Sequence, residues 1–369
     1  MKVMTVVGTR PEIIRLSRVM PRLDESFDHV LVHTGQNWNY ELNGIFFDEM
    51  VLRRPDHVLD VDTSSLGAVL GDTLRKTEGV IREERPDAFL VLGDTNSAIS
   101  AVMAKRMGVP VYHMEAGNRC FDERVPEETN RRLVDHVADY NLVYTEHARR
   151  NLLSEGIRPS RILLTGSPMR EVLDYYRPQI DASDVLTRLR LTPGGYFLVS
   201  AHREENVDAP DRLRALLDCL RAVRDTWGLP VLVSTHPRTR QRLEALGEDA
   251  DLSGINFQKP FGFLDYNNLQ MNARCVLSDS GTISEESALL GFGAVTLRPS
   301  IERPEALDAG SIIMTGLDAN RAVVSVHAAI TRDGRLPMPD AYAVSDASFR
   351  VRNFLLSTVP PRQPGTGER

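Results

Sequence analysis

The chain has 369 residues, 42% hydrophobic and 26% charged, with a formal net charge of -7. That length is more than one hydrophobic core normally organises and predicts two domains, while the balance is that of a soluble globular protein and gives a nucleic-acid role no support. No apolar run is long enough to span a bilayer, the N-terminus reads as a strand rather than a signal peptide, and Cys120, Cys219 and Cys275 are too scattered for a metal pattern or a disulfide framework, so a cytoplasmic protein without a membrane partner is expected.

Residues 2–7 read as a buried strand, Gly8-Thr9-Arg10-Pro11-Glu12 as a turn, and 13–23 as a helix with Pro11 near its start. The turn is not GxGxxG, so a dinucleotide fingerprint is absent. A second strand over 29–34 ends in Gly35-Gln36-Asn37, followed by a helix near 41–48 and a long amphipathic helix over 63–84. The strand at 88–92 ends in Gly93-Asp94-Thr95-Asn96. After a helical stretch over 97–107, the strand at 109–114 ends in Glu115-Ala116-Gly117-Asn118-Arg119. A charged loop leads into a helix from Pro126 to about Ala138, then a strand at 140–144 and a helix at 146–155. The stretch 162–168 closes the first domain, and 178–183 reads as a linker.

The strand pattern restarts at 195–200, ending in Ala201-His202-Arg203-Glu204-Glu205-Asn206. A helix over 210–227 precedes a strand at 230–234 that ends in Thr235-His236-Pro237-Arg238. A weak strand at 254–258 and an irregular segment at 261–266 lead to a short helix. Then Cys275-Val276-Leu277 reads as a buried strand, Asp279-Ser280-Gly281 as a turn, and 282–290 as a helix. The strand at 294–298 is followed by Ile301-Glu302-Arg303-Pro304-Glu305. The expected division is an N-terminal domain over 1–177, a second domain over 178–346, a final helix at 347–358 and a disordered tail at 359–369.

Strands alternating with helices imply parallel sheets, and ligands of such sheets sit outside the strand carboxyl ends. Arg10, Asp94 and Glu115 stand at those ends in the first domain, and His202, His236 and Ser280 in the second. A strand, a small-residue turn and a helix N-terminus make an anion site, because first-turn N–H groups are unpaired and the dipole favours negative charge. Ser280, Gly281 and Thr282 are small enough to admit a phosphate, and Glu286 in the next turn could meet a ligand hydroxyl. Asp94, Glu115, Glu127, Glu128, His202 and His236 with Arg10, Arg15, Arg131 and Arg303 suit proton transfer on a phosphate-bearing substrate. No nucleophile elbow, Walker loop or metal-ligand cluster accompanies them. Each residue has a plainer use: the acids could cap helices, the histidines could be hydrogen-bonded, and Glu127 with Arg131 could be a surface pair. All of these holding together at successive strand ends is a weaker account.

The motifs Gly8-Thr9-Arg10-Pro11-Glu12, Gly93-Asp94-Thr95, His113-Met114-Glu115-Ala116-Gly117, Pro126-Glu127-Glu128-Thr129-Asn130-Arg131 and His202-Arg203-Glu204-Glu205-Asn206 occur in order, followed by 279–286 and Glu302-Arg303-Pro304-Glu305. With them the chain resembles the non-hydrolysing UDP-N-acetylglucosamine 2-epimerase family over about residues 1–358. The resemblance implies a GT-B-like fold of two Rossmann-like domains with an inter-domain active-site cleft, and a final helix crossing back to the first. It implies a cytoplasmic homodimer needing no metal and no NAD. The implied reaction inverts C2 of UDP-GlcNAc to give UDP-ManNAc, by elimination of UDP to a 2-acetamidoglucal and re-addition.

Carried over by motif, Asp94, Glu115 and Glu127 are acid/base residues and His202 is the partner of the departing diphosphate. Arg10, Arg15, Ser280, Gly281 and Thr282 are phosphate contacts, Glu286 holds the ribose, and His236 and Arg303 bind substrate. Arg131 orients the acids. Three segments depart from the common pattern: Arg15 stands where Lys is usual, and Gly117-Asn118-Arg119-Cys120-Phe121-Asp122 and Gly281-Thr282-Ile283-Ser284 differ from the common forms. These variants resemble the branch that forms UDP-N-acetyl-L-fucosamine from a 6-deoxy talose derivative, so that sugar is the alternative to UDP-GlcNAc. A GT-B glycosyltransferase or a silent UDP-sugar sensor would tolerate loss of Asp94, Glu115 and Glu127, which this chain keeps.

Overall fold

A computed structural model describes residues 1–35, 44–123, 125–235, 237–245, 252–332 and 336–360. The chain forms two compact units, one running to Val172 and resuming at Ala343, the other spanning Leu173–Tyr342. Both are parallel-sheet α/β domains, as the alternation of strands and helices leads one to expect.

The first unit contains β1 (Lys2–Val7), β2 (Asp28–His33), β3 (His57–Val58), β4 (Ala88–Leu92), β5 (Val111–Met114), β6 (Tyr140–Val143) and β7 (Ile162–Leu164). They pair in the order β3-β2-β1-β4-β5-β6-β7, every neighbour parallel. The apolar runs have both faces covered by helices, so β4 is buried at all five residues. The strand order reverses between β1 and β4, the switch point at which such sheets open a crevice. The second unit repeats the plan with β8 (Phe197–Ser200), β9 (Val231–Ser234), β10 (Ile255–Gln258), β11 (Cys275–Ser278), β12 (Ala294–Thr296) and β13 (Ile313–Met314). Their order is β10-β9-β8-β11-β12-β13, and the switch falls between β8 and β11.

Two stretches differ from expectation. Residues 178–183 are not a free linker, because the helix Met169–Asp181 runs through Pro178. Burial outweighs the hydrogen bond that proline forfeits: Tyr176 is fully buried against Phe263, Ile180 is fully buried, and Asn268 donates to the Ile180 carbonyl at 2.9 Å. The segment 261–266 is helical from Phe263, where the helix Phe263–Asn272 begins after Gly262.

The last helix, Ala347–Thr358, packs within the first unit. Phe354 meets Tyr112 and Tyr140 edge-on, at centroid distances of 6.2 and 5.2 Å, and Tyr112 Oη lies 2.9 Å from Thr358 Oγ1. Ser348 donates its N–H to Glu171 at 2.9 Å. Among the described residues no helix is long and apolar enough to cross a membrane. Gln36-Asn37, the start of the helix expected near 41–48, His236 and the tail from residue 361, all given expectations above, lie outside the described residues.

Candidate active site

In the first unit the site begins at the end of β1. Thr9 caps the helix Arg10–Leu16, and Glu12 closes a capping box with it. Glu12 Oε2 accepts from the N–H groups of Gly8 at 3.1 Å and Thr9 at 2.7 Å and from Thr9 Oγ1 at 2.7 Å. Its other oxygen accepts from Ser97 Oγ, beyond the end of β4. One buried carboxylate therefore ties together the two strand ends at the switch point. Burial pushes that carboxyl up to about 7, against the pull of its donors. Arg10, on this loop, has its guanidinium 5.6 Å from the centre of the Phe46 ring.

Asp94 follows β4. Its carboxylate takes two bonds from Arg131, on the helix Pro126–Val137, and its carbonyl accepts from Asn130 on the same helix at 2.9 Å. Arg131 is buried and also donates from Nη1 to Glu128 at 2.5 Å. Glu128 is fully buried and collects the N–H of Cys120 at 3.1 Å and Arg132 Nη2 at 3.1 Å. Burial alone would raise its pKa, but the Cys120 N–H and the Arg131 charge hold it below the ordinary value. Glu127, one residue earlier in the first helical turn, is half-buried.

Glu115 follows β5 in the left-handed region, with φ 63°. Arg15, expected to meet a diphosphate, is buried and donates from Nη1 to Glu115 Oε2 at 2.6 Å. Asn118 Nδ2 reaches the other oxygen at 3.3 Å. A Cβ placed on Gly93 would lie 3.8 Å from Glu115 Oε2, so this carboxylate sits beside the residue that precedes Asp94.

In the second unit the organiser is Asp279, at the end of β11. It is fully buried and accepts from the N–H groups of His202 and Arg203 and from Asn206 Nδ2, all at 3.0–3.1 Å. His202 Nδ1 lies 3.5 Å from the same carboxylate. Asp279 thus ties the end of β8 to the end of β11. The turn that follows is held by Ser280 Oγ, 2.9 Å from Thr282 Oγ1, and leads into the helix Ile283–Leu290. A Cβ on Gly281 would meet only Arg203 Nη2, at 3.9 Å, so internal packing does not demand glycine there. Glu286 accepts from Gln270 at 2.7 Å. Arg303 is buried and ion-paired to Glu285. Among the described residues no group of three or more His, Cys, Asp or Glu side chains could hold a metal ion.

The structure therefore brings Arg15, Asp94, Glu115 and Arg131 to neighbouring strand ends of one unit, and His202 with the 280–282 turn to neighbouring ends of the other. The organising carboxylates Glu12 and Asp279 were not singled out from sequence. Glu12 had a readable signal, since Thr9-Arg10-Pro11-Glu12 is the capping-box spacing. Asp279 reads in sequence only as a turn former.

The family model described as UDP-N-acetylglucosamine 2-epimerase matches residues 21–356. The chain belongs to the UDP-N-acetylglucosamine 2-epimerase family. A solved epimerase of this name from Rickettsia bellii is 44% identical, covers 97% of each chain and superposes with a TM-score of 0.90. The UDP-GlcNAc 2-epimerase from Methanocaldococcus jannaschii, solved in complex with UDP-GlcNAc and UDP, is 31% identical and superposes with a TM-score of 0.91, covering 97% of this chain and all of that one. A Pseudomonas aeruginosa relative, 32% identical over 96% of this chain and 99% of its own length, is named UDP-2,3-diacetamido-2,3-dideoxy-D-glucuronate 2-epimerase. Relatives of this chain thus act, by their names, on more than one UDP-linked amino sugar.

Proposed function

We propose that the chain is a non-hydrolysing C2 epimerase that interconverts UDP-GlcNAc and UDP-ManNAc, acting as a cytoplasmic homodimer. The observation that carries this reading is the pair of acids at adjacent strand ends, each gripped by a buried arginine: Glu115 by Arg15 and Asp94 by Arg131. A base held in one orientation beside the sugar abstracts the C2 proton as the C1–O bond to UDP breaks, leaving the 2-acetamidoglucal. A second acid, placed on the opposite face, protonates C2 as UDP re-adds. Asp94, Glu115 and Glu127 supply these groups.

The second unit is assigned the nucleotide. The 280–282 turn and the N-terminus of its helix receive the diphosphate with Arg10, and His202 stabilises the charge that develops as UDP leaves. Glu286, oriented by Gln270, accepts from the ribose. His236 and Arg303 complete the substrate contacts. Arg15 and Arg131 act on the acids, and the spare room at Gly281 is where phosphate oxygens approach the backbone.

The alternative substrate is the 6-deoxy talose derivative that leads to UDP-N-acetyl-L-fucosamine, on the likeness of residues 117–122 and 281–284 to that branch. Incubation with each UDP-sugar in D2O, followed by NMR, tests both. The expected product is the C2 epimer carrying deuterium at C2. Full retention of the C2 hydrogen in the product overturns the proton-transfer course.

A further inference from the structure

Several non-glycine residues adopt a left-handed backbone. Two of them, Arg85 and Arg190, are helix C-caps, where that conformation is ordinary. Glu115 is left-handed in the turn after β5, with no helix end to account for it, and such a backbone persists only where its surroundings over-determine it. The surroundings are specific. Gly117, two residues on, donates its N–H to both oxygens of Asp135 at 3.2 Å, and its carbonyl accepts from Asn151 at 3.0 Å. Its φ is 80°, and a Cβ there would sit 2.4 Å from the Ala148 carbonyl oxygen, so the turn is pressed against the helix Glu146–Ser154.

Asp135 is itself buried and doubly braced. Arg119 Nη1 donates to its Oδ2 at 2.7 Å and to the Asn118 carbonyl at 2.7 Å, while Arg119 Nε and Nη2 are held by Glu155. His113 Nδ1 lies 2.9 Å from its other oxygen without a hydrogen bond to it, and His113 Nε2 donates to the Gly93 carbonyl at 2.7 Å. One carboxylate is therefore bonded to Gly117, two residues after Glu115, and to the arginine that holds the Asn118 carbonyl. Asp135 lies on the helix that also carries Glu127 and Arg131.

We infer that Asp135 is a positioning residue for the reaction: it anchors the turn that carries Glu115, directly at the Gly117 N–H and, by way of Arg119, at the Asn118 carbonyl. The inference rests on the reading of Glu115 as an acid/base group. Carboxylate chemistry is required, because the Gly117 N–H spans both oxygens while Arg119 takes one of them, and an amide offers only one acceptor. The alternative is a buried brace that serves folding alone, which would affect stability and leave the reaction untouched.

The test is a double-mutant cycle on wild type, Asp135→Asn, Glu115→Gln and the pair, reading kcat, KM, UDP affinity and melting temperature. Positioning predicts that Asp135→Asn lowers kcat by roughly tenfold or more with UDP affinity unchanged, and adds no further loss in the Glu115→Gln background. A lower melting temperature with normal kcat overturns the inference, as does a kcat loss that multiplies with that of Glu115→Gln. Near-normal turnover by Glu115→Gln alone overturns instead the acid/base reading on which the inference rests. Should Asp135→Asn not fold, Asn151→Ala releases the same turn from a half-buried surface position. It should lower kcat severalfold at unchanged UDP affinity, and an unchanged kcat refutes the positioning role.

Discussion

Arg131 sets two nitrogens on a single oxygen of Asp94, Nε at 3.0 Å and Nη2 at 2.5 Å, across 37 positions of sequence. Its third nitrogen goes to Glu128, so one nearly buried cation serves two carboxylates from two elements. Removing it should be costly. Taking one partner from a buried pair leaves an uncompensated charge and typically costs about 3–5 kcal/mol. Arg131→Gln is expected to lower the urea midpoint accordingly. Arg131→Lys, a point charge without the fork, should recover part of the stability and little of the turnover. Denaturation and turnover measured on both variants check this.

Gly281→Ala should separate folding from binding. The added methyl meets only Arg203, at 3.9 Å, and Gly281 is not left-handed, so the ligand-free protein should melt as wild type or slightly higher. If phosphate oxygens approach that backbone, UDP affinity should fall by about tenfold, a loss of ~1.4 kcal/mol. Calorimetry with UDP is the measurement, and unchanged affinity would move the diphosphate elsewhere.

Glu12 predicts a pH dependence of stability. Its folded value is pushed up to about 7, against an ordinary 4.5. Between those values the folded chain holds a proton that the unfolded chain has released. Stability contributed by the neutral acid is therefore complete below pH 4.5 and lost as pH rises to 7, by about 3 kcal/mol. Glu12→Gln does not titrate, so its stability relative to wild type should improve by that amount between pH 4.5 and 7. Urea titrations of both proteins at pH 5 and 8 measure the change; a constant difference would show Glu12 ionised throughout.

The acids themselves are tested by Asp94→Asn, Glu115→Gln and Glu127→Gln. Each keeps the side chain's shape and removes its proton-accepting capacity. Turnover should drop by roughly 100-fold or more with UDP still bound. His202→Asn should slow the elimination step, since charge on the departing diphosphate would go unstabilised. Turnover near normal in all three acid variants would leave the carboxylates with no part in the reaction.

The sheets were legible because both-face burial writes strands as unbroken apolar runs, as in Ala88–Leu92 and Cys275-Val276-Leu277. Strand-end motifs were legible for a related reason: the polar residues that interrupt those runs are few and adjacent. The helix through Pro178 was not, because local proline chemistry says break and only the burial of Tyr176 and Ile180 says continue. Arg15 illustrates the limit within the site. The resemblance makes it a phosphate contact, and nothing local says that a carboxylate 100 residues away pairs with it. Glu128, beside Glu127, was likewise indistinguishable until burial showed which of the two faces inward.

The helix Ala347–Thr358 adds a matter of timing. It belongs to the unit whose other elements end at Val172, and its Phe354 meets the rings of Tyr112 and Tyr140. A ribosome adding 5–20 residues per second takes about ten to forty seconds to travel from the one segment to the other. Throughout that interval the second unit can collapse on its own contiguous sequence, while the first waits with an aromatic face unpaired. The unit begun first is thus the one finished last, with those two tyrosines uncovered by Phe354 until the final helix arrives.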